Sequence, residues 1–152
     1  MTFDSLLNII DKKLCSDISQ AEGLQFICQL LHDHIEHYDW VGYYLHNPEK
    51  KELVLRTYVG EPTNHKNIPF GKGICGQVAL SNENFIVDDV NTQDNYIACS
   101  LDVKSEIVIP IFVKEKNIGQ IDIDSNRLCA FSEKDEIFLS DVNHLVSIHL
   151  FN

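Results

Sequence analysis

The chain has 152 residues, enough for one domain with a substantial hydrophobic core but too few for two ordinary domains. Hydrophobic residues make up 44% and charged residues 23% of the sequence, as is typical of soluble globular proteins. The net charge of −11 and the isoelectric point near 4.9 argue against a protein that binds nucleic acid or docks electrostatically on an anionic membrane.

No apolar run is long enough to span a bilayer, and the N-terminus lacks the basic start and apolar core of a secretory signal. These features predict a cytoplasmic protein. The five cysteines show no spacing typical of a small disulfide scaffold. Most of them are therefore expected to be thiols in a reducing compartment.

Two amphipathic helices are predicted first, followed by a pair of strands. The strands, Trp40–Leu45 and Glu52–Tyr58, are joined by a hairpin connection over residues 46–51. The apolar residues at helical spacing are Phe3, Leu6, Leu7 and Ile10 in the first helix and Leu24, Ile27, Cys28, Leu31 and Ile35 in the second.

Two long loops alternate with short elements in the second half of the sequence, before a strand pair and a capped helix. Loops of this length in a compact domain are more often functional than decorative. In chain order, the prediction is a loop over 60–73, a helix over 74–80, a strand over 85–87, a loop over 88–104, strands over 106–113 and 118–124, and a helix that begins at a capping box of Ser132 and Asp135.

Together these elements predict a single α+β domain over residues 1–152. An antiparallel sheet is expected to carry the terminal helices on one face and the long loops on the other. The sequence contains no repeat, low-complexity tract or linker that would divide it.

Cys75 and Cys99 stand apart from the other cysteines because they lie in or beside the long loops. Cys75 is close to a predicted helix start, where backbone N–H groups and the helix dipole favour a thiolate. Cys28 lies on the apolar stripe of a helix and is expected to be a buried hydrophobe. Cys15 and Cys129 have no partner suggested by their spacing.

No metal or cofactor site is predicted. Neither Cys75 nor Cys99 has a Cys-x-x-Cys partner or a following histidine at a zinc-like spacing. His32, His34 and His37 crowd the end of the second helix. They are interpreted as a solvated cluster that suits the negative end of the helix dipole.

Three acids, Glu106, Asp122 and Asp124, lie on predicted strands soon after the two cysteines. Asp122 and Asp124 alternate with isoleucines, so they share one strand face. An exposed acidic face and an acidic pocket would both show this pattern, and both interpretations stay open. Trp40 and Tyr44 would be ordinary core residues on pattern alone.

Five motifs follow one another along nearly the whole chain from about Asp39 onward. They are Trp40-Val-Gly-Tyr-Tyr44, Ile68-Pro-Phe-Gly-Lys-Gly-Ile-Cys-Gly76, Ile97-Ala-Cys99, Ser105-Glu-Ile107 and Ile121-Asp-Ile-Asp-Ser125. In this order they resemble the free methionine-(R)-sulfoxide reductases, a group of stand-alone GAF domains. The combination is more specific than any one of the motifs.

The resemblance implies a sandwiched GAF sheet, a homodimer and an active pocket under the two long loops. Cys99 corresponds to the family's nucleophile, and Cys75 to a second active-site cysteine. The family's pocket acids correspond to Glu106, Asp122 and Asp124, and its wall for the methyl-sulfinyl end of the substrate corresponds to Trp40 and Tyr44.

The implied substrate, free methionine sulfoxide, suits these residues chemically. Its ammonium group needs an acid, its methyl group suits an aromatic wall, and its sulfoxide oxygen must gain a proton from an acid that stays protonated. Attack by Cys99 would leave a sulfenic acid. A second thiol would convert this to a disulfide, and a thioredoxin-type or low-molecular-weight thiol would recycle the enzyme.

Two positions depart from the family's pattern. His65 stands where the reductases have a resolving cysteine, and Ser100 stands where an acid usually follows the nucleophile. Resolution would then pass to Cys75 or to an external thiol. The alternative is a non-catalytic GAF sensor that binds a small amino-acid-like ligand or senses oxidation at Cys99. A cyclic-nucleotide pocket is a weaker interpretation, because phosphate needs hydrogen-bond donors rather than clustered carboxylates.

Overall fold

The computed structural model describes residues 1–93 and 102–152. The helices are α1 (Phe3–Leu14), α2 (Gln20–His34), α3 (Gly73–Ser81) and α4 (Glu133–Leu150). The strands are β1 (Trp40–Asn47), β2 (Glu52–Val59), β3 (Asn67–Pro69), β4 (Phe85–Val87), β5 (Ser105–Val113) and β6 (Lys116–Ser125). None of the helices in the described ranges is long and apolar enough to cross a membrane.

The strands form one antiparallel sheet in the order β3-β2-β1-β6-β5-β4. In its centre, Asp122 of β6 lies opposite Gly42 of β1 on one side and Val108 of β5 on the other. Residues opposite one another in an antiparallel ladder point to the same face of the sheet. The register therefore decides which side chains of β1, β5 and β6 meet.

One face of the sheet packs against α2 and α4, α1 packs on these two helices, and together they form the main hydrophobic core. Ile107, Ile121 and Ile123 lie on this face and are fully buried. Burial of an isoleucine side chain contributes about 1.5–3 kcal/mol to folding, so the alternating isoleucines fix which face of β5 and β6 points to the helices.

The opposite face of the sheet is covered by α3, which packs on β5 and β6 and on the edge of β2 and β3. Gly76 allows this close approach, since a Cβ there would lie 2.7 Å from the carbonyl oxygen of Pro69. The turn before α3 is closed by the Gly71 N–H, which donates to the Gly76 carbonyl at 2.8 Å. These contacts hold Cys75 over the sheet.

The predicted α+β class, with terminal helices on one face, is confirmed. The prediction of an uninterrupted loop over 60–73 is wrong, because Asn67–Pro69 pairs with β2 as an edge strand. Proline is tolerated there since an edge strand does not need every N–H for the ladder. In the second predicted loop, residues 90–92 form a single 3₁₀ turn, capped by the Asp89 side chain.

The predicted capping box of α4 is confirmed, because the N–H and Oγ of Ser132 donate to Asp135 Oδ2 at 2.9 and 3.0 Å. The other oxygen of Asp135 accepts from Tyr38 Oη at 2.7 Å and lies 3.3 Å from His37 Nε2. His37 therefore does not belong to a solvated histidine cluster, as the sequence pattern suggested. It follows the end of α2 and packs against a buried carboxylate.

Candidate active site

Three polar side chains of β6 point to the face that α3 covers. Gln120, Asp122 and Asp124 occupy alternate positions of this strand, and all three are buried. The register adds Glu106 of β5, which lies opposite Asp124 and is also buried. The interpretation of the alternating aspartates as an exposed acidic face is therefore excluded, and they lie in the interior.

Cys75 of α3 lies directly over this row. Its Sγ is 3.8 Å from Glu106 Oε2, in hydrogen-bond contact. The thiol and one carboxylate oxygen each of Glu106 and Asp122 lie within 4.8 Å of one another. Three of the predicted site residues thus form one buried cluster, although they come from three different elements.

A pocket opens beside the cluster, with about 10 Å³ of cavity volume and about 270 Å³ of empty space when the solvent at its open mouth is counted. Its floor is polar and its walls are mostly apolar, an arrangement typical of small-molecule sites. The described residues that line it are Tyr44, His65, Ile68, Lys72, Gly73, Ile74, Cys75, Glu106 and Asp122.

Burial raises the pKa of the Asp122 carboxyl group, while hydrogen bonds with Glu106 and Cys75 act in the opposite direction. Those two bonds favour the charged form of Asp122. Two buried carboxyl groups joined by a hydrogen bond hold one proton between them, because ionising both would leave two like charges in a medium of low polarity.

The Cys75 thiol differs from the sequence prediction. Burial raises its pKa well above 9.0, and the charges of Asp122 and Glu106 raise it further. Cys75 is the third residue of α3, but this proximity to a helix N-terminus does not outweigh the neighbouring acids. The expectation of a thiolate at Cys75 is therefore wrong, and the residue is a protonated thiol.

The two aromatic residues predicted as a pocket wall lie on the same face of β1. Tyr44 lines the pocket, and its hydroxyl donates to the carbonyl oxygen of His65 at 2.9 Å. Trp40 lies opposite Asp124, stacks on Tyr58 with ring centroids 5.4 Å apart, and donates from Nε1 to the Glu61 carbonyl. Both residues belong to the apolar cluster on the pocket side of the sheet.

His65 lines the same pocket as Cys75. The position at which this chain differs from the reductases' resolving cysteine is therefore next to the cluster. Its N–H donates to Thr63 Oγ1 at 3.0 Å and its carbonyl accepts from Tyr44, which fixes the backbone at this point. Cys99, the predicted nucleophile, lies outside the described residues.

Gln120 is a buried residue of this site that the sequence analysis did not identify. Its Nε2 donates to the Cys75 carbonyl at 3.1 Å and so connects α3 to the sheet. The sequence could have indicated it, because Gln120 stands two residues before Asp122 and alternate residues of a strand share a face.

Cys75, Glu106 and Asp122 have the ligand types of a metal site, but their protonation does not favour the binding of a metal ion. A thiol with a raised pKa and a carboxyl group that shares a proton must both be deprotonated before they can coordinate an ion.

The other cysteines of the described residues lie outside this cluster. Cys28 is confirmed as a fully buried residue of the main core. Cys15 and Cys129 are exposed thiols.

Replacement of Asp122 by asparagine is expected to stabilise the fold at high pH. The folded protein holds a proton in the Glu106–Asp122 pair that the unfolded chain releases above the ordinary aspartate pKa of 3.8, so the wild type loses stability as pH rises. Asparagine does not titrate. We expect equal melting temperatures near pH 4 and a variant about 3 °C more stable at pH 8.

Thermal unfolding followed by circular dichroism between pH 4 and 8 measures this difference. Asp141→Asn, at an exposed position of α4, is the matched control, and its difference in melting temperature from the wild type should not change with pH. An Asp122→Asn protein that is less stable than the wild type at pH 8 would show that the carboxylate stabilises the fold, contrary to this account.

Comparisons with known proteins agree with the fold. The sequence matches the GAF domain family over residues 18–150. The free methionine-R-sulfoxide reductase of Neisseria meningitidis, solved in complex with its substrate, has 30% sequence identity and a TM-score of 0.93; the match covers 98% of this chain and 88% of that one. The chain is a GAF domain of the free methionine-R-sulfoxide reductase family.

Two further reductases support this assignment of the GAF domain. The type II free methionine-R-sulfoxide reductase of Thermoplasma acidophilum is 34% identical, with a TM-score of 0.78, over 94% of this chain and 92% of that one. The free methionine-R-sulfoxide reductase of Escherichia coli is 37% identical over 107 residues, which are 70% of this chain and 63% of that protein.

Proposed function

We propose that this GAF domain reduces free L-methionine-(R)-sulfoxide to methionine. The observation that carries the proposal is the buried cluster of Cys75, Glu106 and Asp122 at the floor of the pocket. It occurs in a chain that resembles, over almost its whole length, a reductase solved with its substrate. Cys99, Cys75, Glu106, Asp122, Asp124, Trp40 and Tyr44 are the proposed site residues.

The pocket suits each part of the substrate. A carboxyl pair that carries one proton can donate it to the sulfoxide oxygen and still has negative charge for the ammonium group. Tyr44, Ile68 and Ile74 give the walls an apolar surface for the S-methyl group. Asp124, buried on the same strand face, is a further acid available to the ammonium group.

The proposed reaction proceeds by attack of the Cys99 thiolate on the sulfoxide sulfur. The sulfur–oxygen bond breaks, the oxygen passes to Cys99 with one proton supplied by the Glu106–Asp122 pair, and methionine leaves. The substrate sulfur gains two electrons and the cysteine sulfur loses two, which gives a sulfenic acid. A thiol then condenses with the sulfenic acid, releases water and forms a disulfide.

An external thiol is the favoured resolving group. Because Cys75 is a buried, protonated thiol held between two acids, its reactive thiolate form is scarce. His65 supplies no thiol at the other pocket position. We therefore assign resolution to a low-molecular-weight thiol or a thioredoxin-type protein, acting on a cytoplasmic homodimer.

Turnover of free L-methionine-(R)-sulfoxide, measured as methionine by chromatography, tests the proposal. We expect turnover with dithiothreitol. Turnover with a thioredoxin system as well would make a thioredoxin-type protein a recycling partner, and turnover with dithiothreitol alone would assign recycling to another thiol donor. Cys28→Ser is the matched control, because Cys28 lies in the core across the sheet from the pocket; its activity should remain close to that of the wild type.

The other function that the pocket permits is a non-catalytic sensor of a small amino-acid-like ligand. Its specific support is His65, which lies in the pocket where the reductases have their resolving cysteine. A folded protein that is stabilised by methionine sulfoxide in a thermal shift assay, but produces no methionine with either reductant, would establish the sensor and exclude the reductase.

A further inference from the structure

A second group of metal-ligand side chains lies on the helical side of the sheet, away from the pocket. Asp11 of α1 and Cys15, the C-cap residue of α1, are four residues apart and share one face of that helix. His149 comes from the last turn of α4, which packs against α1. The cluster therefore joins two helices that are more than 100 residues apart in the sequence.

The three side chains converge on a small volume. His149 Nε2 lies 2.9 Å from Asp11 Oδ1 and 3.6 Å from Cys15 Sγ. Cys15 Sγ lies 3.8 Å from Asp11 Oδ1. Every pair of ligand atoms is within 4.8 Å, and each of the three residues offers a different ligand type.

These separations match the edges of a tetrahedral zinc site. Bond lengths of about 2.3 Å to sulfur and about 2.0–2.1 Å to nitrogen and oxygen place tetrahedral ligands about 3.6 Å apart when sulfur is involved and about 3.3 Å apart for nitrogen and oxygen. The observed distances differ from these values by no more than a few tenths of an ångström. Side-chain rotation alone can supply that adjustment.

The surroundings of the cluster also suit an ion. The Asp11 carboxylate already orients the His149 ring, and only 21% of the His149 side chain is exposed. Cys15 is exposed, so its thiol does not serve core packing and the fourth coordination position faces solvent. An ion pair between Asp11 and His149 alone would not require the thiol to lie beside both partners.

We propose that Asp11, Cys15 and His149 bind Zn²⁺, with water as the fourth ligand, and that the ion clips α1 to α4. On binding, the exposed Cys15 thiol releases its proton, although desolvation and the Asp11 charge raise its pKa. Neutral His149 keeps its single ring proton on Nδ1 and coordinates through Nε2. The sequence analysis missed this site because its ligands follow no short spacing: Cys15 and His149 are 134 residues apart.

Titration of the full chain with Co²⁺, a spectroscopic substitute for Zn²⁺, tests the site. We expect one equivalent to give a thiolate-to-cobalt charge-transfer band, and excess Zn²⁺ to remove it. Saturating Zn²⁺ should raise the melting temperature by about 5 °C. Cys15→Ser should abolish the band, and His149→Gln should weaken cobalt binding at least about tenfold.

Two control variants separate this site from the other thiols. Cys129→Ser removes the other exposed cysteine in the described ranges and should leave the band unchanged. Cys75→Ser removes the thiol of the pocket cluster and should also leave it unchanged. Absence of the band in the wild type overturns the proposal. A band that persists in Cys15→Ser also overturns it. A band that disappears only in Cys75→Ser would place the metal in the pocket instead.

Discussion

Cys99→Ser is expected to lower the turnover of free L-methionine-(R)-sulfoxide at least about 10³-fold. A serine hydroxyl is not ionised near neutral pH and cannot form the sulfenic acid, so the first chemical step is lost. The assay with dithiothreitol is the decisive one, because this reductant bypasses any specific recycling partner. Mass spectrometry of the wild type after one equivalent of substrate should also show an added oxygen or a mixed disulfide at Cys99.

Cys129→Ser and Cys28→Ser are matched controls for this variant, one exposed and one buried, and both should retain most of the activity. Substrate binding provides a second readout, since Cys99→Ser should still be stabilised by methionine sulfoxide. Equal turnover in the wild type and Cys99→Ser would refute the proposed mechanism.

Glu106→Gln is expected to lower kcat about 10²–10³-fold with a smaller change in KM. Glutamine can still donate a hydrogen bond to Asp122, but it has no acidic proton for the departing sulfoxide oxygen. The wild type should lose activity as pH rises through the raised pKa of Asp122, since the proton that it shares with Glu106 is then removed. Initial rates between pH 5 and 9, with dithiothreitol in excess, measure both effects.

An exposed acid of α4 gives the control for this substitution, because Glu133→Gln removes the same charge far from the pocket. It should leave kcat and its pH profile unchanged. A Glu106→Gln protein with wild-type kcat would show that another group protonates the substrate. A proportional rise in KM alone would assign Glu106 to binding.

Much of the fold could be predicted from residue periodicity. The isoleucines of β5 and β6 alternate so regularly that the strand pair and its buried face follow from them. Strand β3 was missed because three residues are too few to show a period, and because Pro69 signals a loop. What makes Asn67–Pro69 a strand is its pairing with β2, a contact between distant residues that local pattern does not show.

Three of the predicted site residues lie together in the structure, but their electrostatics were not predicted. The resemblance indicated Cys75, Glu106 and Asp122, and the structure brings these three together. The protonation of Cys75 was mispredicted, because its position near a helix N-terminus was considered without the acids of β5 and β6 that lie beside it in the structure. Gln120 was missed because a lone glutamine in a strand has no characteristic pattern until its neighbours in space are known.

Strand β6 serves two layers of the molecule at once. Ile121 and Ile123 anchor it in the helical core, while Asp122 and Asp124 project from its other side into the pocket region. A one-residue slip would exchange the two sets, placing carboxylates in the core and isoleucines in the pocket. The same strand register therefore sets both the core packing and the pocket residues, and natural variation in β6 should be confined to conservative changes. The segment around His65 is not held by the core in this way. Substitutions there can change how the enzyme is recycled without disturbing the fold.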